Sequence, residues 1–177
     1  HSASSAASDV YKRQQLSAAD AAFAGAVDAA QLMANSAKKA GIDIEVIREP
    51  NDGYWSNVWN NDAKGWCACY WGGRPAETMM FSAAYVAESK WNDTMWKTTD
   101  SAVKFNQLVK DARKELDESK KRDILYECQR LIYDDGGLLC PLFNSYVSAN
   151  SKKIAHGKIA ANWDSDGAKC VERWWFA

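Results

Sequence analysis

Between Ser17 and Trp71 the apolar residues change their spacing three times, and this change of period limits the folds open to the chain. The stretch "SAADAAFAGAVDAAQLMANSAKKAG", 17–41, sets Phe23, Val27, Ala30 and Ala34 at helical intervals, with Ser17 as a start cap and Gly41 as a stop. "IDIEVIR", 42–48, alternates Ile42, Ile44 and Val46 against Asp43 and Glu45, with one slip at Ile47, and predicts a strand. "EPNDGYWSNVWNNDAKG" begins as a turn and predicts a short helix near 53–60, and "WCACYW", 66–71, predicts a second strand. Helix, strand, helix, strand is the order of an α/β fold, in which helices cover a largely parallel sheet.

The pattern then turns helical. "AETMMFSAAY" predicts a short helix with Pro75 at its first turn, where a missing amide hydrogen costs little. "AESKWNDTMWKTTD" is a polar loop carrying Trp91 and Trp96. From Ser101 to Asp135 two apolar stripes, Phe105, Leu108, Val109, Ala112 and Leu116, then Ile124, Leu125, Cys128, Leu131 and Ile132, predict two helices. Asp117 is the expected cap between them and Gly136-Gly137 the stop. "LLCPLFNSYVSAN" predicts a strand interrupted by Pro141, and short strands and turns follow to "ERWWFA". At the other end, "HSASSAASDVYKRQQ" has no apolar period. Its first fourteen residues resemble a translated sequencing-adaptor peptide, so 1–15 is expected to be a non-native or disordered tail. On that reading the lack of a signal peptide says nothing about localisation.

With 22 basic and 23 acidic residues the net charge is -1, which gives no field to steer nucleic acid, and "SKKR" at 119–122 reads as a solvated helix start. No apolar run approaches the roughly 20 residues that span a bilayer. Nine tryptophans are the surprise of the composition. Trp55, Trp59, Trp66 and Trp71 fall within 17 residues, beside Tyr54 and Tyr70 and among glycines and asparagines, company that suits a cleft. The five cysteines imply no disulfide framework. "CAC" would put Cys67 and Cys69 on one face of a strand, but zinc needs two more ligands and the chain has two histidines, so buried apolar cysteines are expected and no metal or cofactor. His156 is the base available to a nucleophile once His1 is set aside, and pairing it with a cysteine gives a hydrolase as the alternative reading. No G-x-S-x-G or P-loop spacing accompanies it. Asp134-Asp135, Asp164 and Asp166 lie beside glycines as turn caps.

Noncovalent recognition has the better physical case. In "YWGGRPAETMMFSAAY", 70–85, Arg74 follows the end of a predicted strand, where open α/β sheets bind ligands, and its guanidinium offers paired donors to a carboxylate or to carbonyls. A structural salt bridge is the competing role.

Six segments in order, "AAQLMANSAKKAGIDIEVIREPNDGYWSNVW", "YWGGRPAETMMFSAAY", "WNDTMWK", "FNQLVKDARKELDESKKRDILYECQRLIYDDGG", "PLFNSYVSA" and "WDSDGAKCVERWWFA", resemble the carboxyl-terminal portion of the family 5 extracellular solute-binding proteins. These are the peptide, oligopeptide and nickel receptors of bacterial ABC importers. The resemblance implies an α/β chain forming part of a type II periplasmic-binding-protein fold, two lobes that close on a ligand. It implies a lobe core at 16–140 and a segment, 141–177, crossing to a lobe mostly absent here. It also implies a receptor and no enzyme, monomeric at full length, working in the periplasm or as a cell-surface lipoprotein with membrane permease subunits as partners. The cleft residues it points to are Trp71, Gly73, Arg74, Trp91 and Asn92, with Tyr70, Tyr54 and Trp55 behind them. Dipeptide receptors resemble G-D-x-x-D-P in the segment matching 70–78, with an aspartate for the peptide's amino group. Here Arg74 stands in "YWGGRPAET" and no aspartate does, which turns the expectation toward a carboxylate-bearing ligand or a blocked peptide. A metal chelate, an opine or a sugar are the non-peptide alternatives.

Overall fold

The computed structural model of the chain describes residues 13–177, and it begins with a strand that the polar string "RQQLSA" does not announce: β1, Arg13–Ala18. Arg13–Gln15, expected in the tail, are the first half of that strand, whereas the adaptor-like residues up to Lys12 lie outside the described residues. β1 is the centre of a parallel sheet of order β2-β1-β3. It pairs with β2, Asp43–Arg48, from Arg13↔Asp43 to Ala18↔Arg48, and with β3, Trp66–Cys67, through Leu16↔Trp66 and Ser17↔Cys67.

Helix α1, Ala26–Lys38, covers this sheet with its smallest side chains. Ala30 packs with Leu16 and Ala18 of β1, bordered by Ile44, Val46 and Trp66, and alanine at that position lets the helix axis approach the strands closely. Ser17 is therefore a strand residue and caps nothing. It is buried, and its hydroxyl donates to Glu49 at 3.0 Å. The helix starts eight residues later than its apolar spacing suggests, after Gly25 at φ 79°, because residues 19–25 are spent on turns. Gly41, at φ 78°, follows the helix end as expected.

β3 is shorter than its sequence predicts, two residues instead of six. Ala68 still donates to the Ser17 carbonyl at 2.8 Å, but its own carbonyl is taken by the Tyr54 hydroxyl at 2.7 Å and the ladder stops. Tyr54 opens α2, Tyr54–Asn57, a single turn where a longer helix was expected.

The chain divides into two compact units at Trp71/Gly72. The second unit, Gly72–Ala177, is built on α3, Glu77–Ala84, α4, Asp100–Lys114, and α5, Glu118–Asp135. Phe105 of α4 is its hub, with ring centres 5.5 Å from Phe81 and 5.1 Å from Trp96. Val109, Ala112, Cys128, Leu131 and Ile132 complete the buried stripe; of the other residues predicted for it Leu108, Ile124 and Leu125 are half-buried, and Leu116, past the end of α4, is exposed. Thr99 caps α4 by accepting from the Ala102 amide, and Asp117 caps α5 by accepting from Ser119 and Lys120. Pro75 precedes the Ala76 cap of α3 and so lies outside its first turn.

The strand predicted across 138–150 does not form. That stretch carries no helix or strand, and Leu142, Phe143 and Val147 are exposed. Pro141 removes one ladder donor, and no element of the unit pairs with the stretch. Beyond it β4, Ile154–His156, runs antiparallel to β5, Trp174–Phe176. A left-handed turn through Ser165, Asp166, Gly167 and Ala168 and the single-turn α6, Cys170–Arg173, connect them. Asp166 fastens this hairpin, accepting from the Ala160 amide at 2.6 Å, Trp174 Nε1 at 2.9 Å and Arg173 Nη1 at 2.9 Å. Those bonds, the Ala160 amide first, hold its carboxyl below the usual carboxylate range.

Two predictions follow from these fastenings. Tyr54→Phe keeps the ring and deletes the hydroxyl that two strand-end carbonyls share, so urea unfolding should show a loss of about 1–2 kcal/mol; an unchanged midpoint would show that the bond holds nothing. The Asp135 carboxylate accepts from Trp96 Nε1 at 2.8 Å, from Thr99 at 2.8 Å and from the Ser101 hydroxyl. Those bonds, Ser101 first, lower its pKa from the ordinary 3.8. A depressed folded pKa adds stability above the unfolded value, and that stability is lost as pH falls through the folded one. Acid unfolding followed by Trp fluorescence should therefore be less steep below about pH 4 in Asp135→Asn, and an identical profile would exclude Asp135 as a source of the acid sensitivity.

Candidate functional site

At the carboxyl end of the parallel strands the first unit gathers five aromatic rings. Tyr54 lies at the bottom, 1% exposed, in a cluster with Ala19, Ala22, Ala26 and Val58. Its hydroxyl is 2.7 Å from the Ala68 carbonyl and 3.2 Å from that of Ser17, and burial pushes its pKa upward. Trp55 rests edge-on against it at 5.8 Å, and its indole nitrogen donates to the Ala21 carbonyl at 3.2 Å. Trp59 at 5.6 Å and Tyr70 at 5.7 Å meet Trp55 in the same edge-to-face manner, and Trp71 meets Trp59 at 6.2 Å.

Such T-shaped contacts satisfy the ring quadrupoles and fix the rings relative to one another. Trp55 is still 39% exposed and Tyr70 63%, so the assembly presents apolar faces to solvent on a rigid base. Of the predicted residues, then, Trp55, Tyr70 and Trp71 come together as an aromatic wall, and Tyr54 is its foundation and not part of its surface. Trp59 belongs to the wall as well. Its place four residues after Trp55, on the same side of a helical turn, was the available signal.

In the second unit Arg74 turns back on its own chain, its Nη1 donating to the carbonyls of Gly72 at 2.6 Å and Gly73 at 3.3 Å. The guanidinium carbon lies 5.6 Å from the ring centre of Trp163, within cation–π range. A Cβ on Gly73 would come within 3.1 Å of the Tyr146 hydroxyl, so a larger residue there would need that ring to give by a few tenths of an ångström. The competing salt-bridge role finds no carboxylate partner for Arg74 among the described residues. Nothing in the local sequence pointed to Trp163 or Tyr146.

Trp91 is exposed, with the Lys90 ammonium 4.7 Å above its ring. Asn92, expected in the cleft, is 1% exposed and is a structural residue. Its amide nitrogen faces the carbonyls of Tyr85, Val86 and Trp96 at 3.3, 3.2 and 3.0 Å, and its oxygen accepts from the Thr94 hydroxyl at 3.2 Å. A side chain that satisfies a loop's buried carbonyls has no donor left for a solute.

Cys69 lies past the end of β3, so the strand does not carry both thiols of "CAC". Among the described residues no group of three or more His, Cys, Asp or Glu side chains is placed to hold a metal ion, and no helix is long and apolar enough to cross a membrane. His156 has its Nδ1 2.8 Å from the Gly157 carbonyl and its ring 5.0 Å from Trp174.

No family model and no curated protein matches the sequence. Among solved structures the chain is similar to NikZ from Campylobacter jejuni in complex with Ni(L-His), at 12% identity and a TM-score of 0.52 over 71% of this chain. The match covers 25% of NikZ, so the chain spans about a quarter of that protein's length. At such identity the likeness is one of fold: the chain is an incomplete α/β part of a periplasmic-binding-protein architecture.

The burial of Asn92 separates a structural role from a binding one by experiment. Asn92→Ala should lower stability by about 1–3 kcal/mol in thermal or urea unfolding, since three carbonyls lose a shared donor. A variant as stable as the parent would return Asn92 to the list of surface candidates.

Proposed function

We propose that this chain is part of a solute-capture receptor of a bacterial ABC importer. It binds a peptide or a related small solute outside the cytoplasm, hands it to membrane permease subunits and catalyses nothing. The observation that carries this reading is the aromatic wall of Trp55, Trp59, Tyr70 and Trp71, held at the carboxyl ends of parallel strands in a periplasmic-binding-type fold. Ligands of open α/β sheets sit at that end, and rigid aromatic faces supply contact area with few rotors to freeze. Capture followed by closure would turn a difference in ligand affinity into a shape the permease reads.

The hydrolase alternative draws less support. The neighbours of His156 are a backbone carbonyl, an indole ring and the charge of Asp166, and none of them is a nucleophile. A chelate remains the second ligand class, favoured by the Ni(L-His) named for the structural neighbour.

Calorimetric titration of the 177-residue chain with trialanine, and separately with nickel and L-histidine, tests both. Saturable heat with one of them is expected, with affinity roughly three- to tenfold weaker in Trp55→Ala, the equivalent of about 0.5–1.5 kcal/mol for one aromatic contact. Absence of saturable heat with both sinks the receptor reading, and cleavage of trialanine that disappears in His156→Ala replaces it with the hydrolase.

A further inference from the structure

The chain contains two Asp-Gly pairs, Asp52-Gly53 and Asp166-Gly167, and the fold places them in opposite settings. In the terminal hairpin Asp166 is buried. Its carboxylate accepts from the Ala160 amide, Trp174 Nε1 and Arg173 Nη1, while the Gly167 amide donates to the Trp163 carbonyl at 3.2 Å. In the first unit Asp52 is exposed on the turn 51–54, and among the described residues its carboxylate accepts no hydrogen bond and the Gly53 amide donates none. The residues on either side are held: the Asn51 side chain accepts from the Ala21 amide at 2.9 Å, and Tyr54 is buried. The turn between them is closed loosely, by the Tyr54 amide 3.4 Å from the Asn51 carbonyl. Gly53, at φ 73° and ψ 6°, has no Cβ to shield its nitrogen or to resist rotation of the peptide plane between Asp52 and Gly53.

We propose that Asp52-Gly53 is a site of self-modification, at which the aspartate isomerises to isoaspartate through a cyclic imide, and that the change loosens the aromatic wall. The Gly53 nitrogen attacks Asp52 Cγ; the new N–C bond closes a five-membered ring, and the carboxyl hydroxyl leaves as water with the amide proton. Water then adds back. At Cγ it restores aspartate; at the main-chain carbonyl it breaks the original bond to the Gly53 nitrogen and leaves the chain running through Cβ and Cγ, with no net gain or loss of atoms. The backbone is then one carbon longer immediately before α2, so the turn no longer delivers Tyr54 to the Ala68 carbonyl, and the contacts of Trp55 with Trp59 and Tyr70 lose their base. Asp166 is spared, because three donors hold its carboxylate and the Gly167 nitrogen is already bonded, so the ring closes there only after the hairpin opens. The proposal is independent of solute capture and holds whatever the chain binds.

The test ages the folded 177-residue chain in neutral buffer and reads isoaspartate by electron-transfer mass spectrometry of the tryptic peptides 49–64 and 159–169, which hold the two pairs. Isoaspartate should accumulate at 52 about tenfold or more faster than at 166, and the two rates should converge in urea, where only the shared dipeptide remains. Equal rates in the folded chain, or no isoaspartate at 52, overturn the site. Rates that stay apart in urea assign the difference to flanking sequence and overturn the role of the fold. Near-ultraviolet circular dichroism should lose aromatic signal in proportion to the isoaspartate at 52, and aged Asp52→Glu, which cannot close the five-membered ring, should keep it. An aged parent that carries isoaspartate at 52 and keeps its signal overturns the link to the aromatic wall. Should Asp52→Glu not fold, the proportionality within the parent still decides.

Discussion

The Tyr54 hydroxyl lies where two strands end, and the architecture of the first unit is arranged around it. One O–H lies within reach of the carbonyl of Ala68, which β3 would otherwise leave without a ladder partner, and of the Ser17 carbonyl, which also accepts from the Ala68 amide. The ring reaches them because the residues around it are small: Ala19, Ala22 and Ala26 leave a space the size of a phenol. A larger side chain at any of the three would displace the ring, and with it the single turn of α2 that carries Trp55 and the turn after it that carries Trp59. The exposed aromatic wall thus inherits its rigidity from a buried hydrogen bond.

The second unit meets the same need by different means. Long stretches of it, 85–99 and 137–153, carry no helix or strand, so side chains must satisfy backbone that a ladder would satisfy elsewhere. Asn92 does so for the loop after α3. Asp135 ties that loop to the end of α5 through an indole and two hydroxyls, and Asp166 closes the terminal hairpin through an amide, an indole and a guanidinium. Each is a carboxylate or amide with several convergent donors or acceptors, and in a partly desolvated site such a network strengthens as it is completed.

How far the sequence revealed this follows from what kind of signal each part leaves. The α/β class, α1, β2, α4 and α5 repeat an apolar period over several turns, and the caps at Asp117 and Gly41 are local chemistry, so all were legible. β1 was not, because a central strand needs only Leu16 and Ala18 on its covered face, and "RQQLSA" offers two apolar residues beside a string that looked foreign. The length of β3 was hidden because Tyr54, twelve residues upstream of its first residue, decides where the ladder stops. Asn92 was expected in the cleft and Tyr54 behind it, because an aromatic or amide residue beside other aromatics looks alike in a cleft and at the base of one. Burial separates the two cases, and burial is a property of the fold. Trp163 meets Arg74 from 89 positions away, a separation that no local pattern spans.

Preorganisation is common to the aromatic wall of the first unit and to Arg74 of the second, each considered within its own unit. A side chain that gains its ligand-binding geometry only on binding must lose rotamer freedom at that moment, about 0.5–1.5 kcal/mol for a flexible one. Arg74 has most of its freedom removed already by Gly72, Gly73 and the Trp163 ring, and Trp55 by the Ala21 carbonyl and three edge-on rings. The cost of ordering them is met during folding by contacts that involve no solute. What each leaves open is the Nε and Nη2 edge in one case and exposed ring surface in the other. Tyr54 and Asn92 differ in that their polar groups are engaged inside the protein.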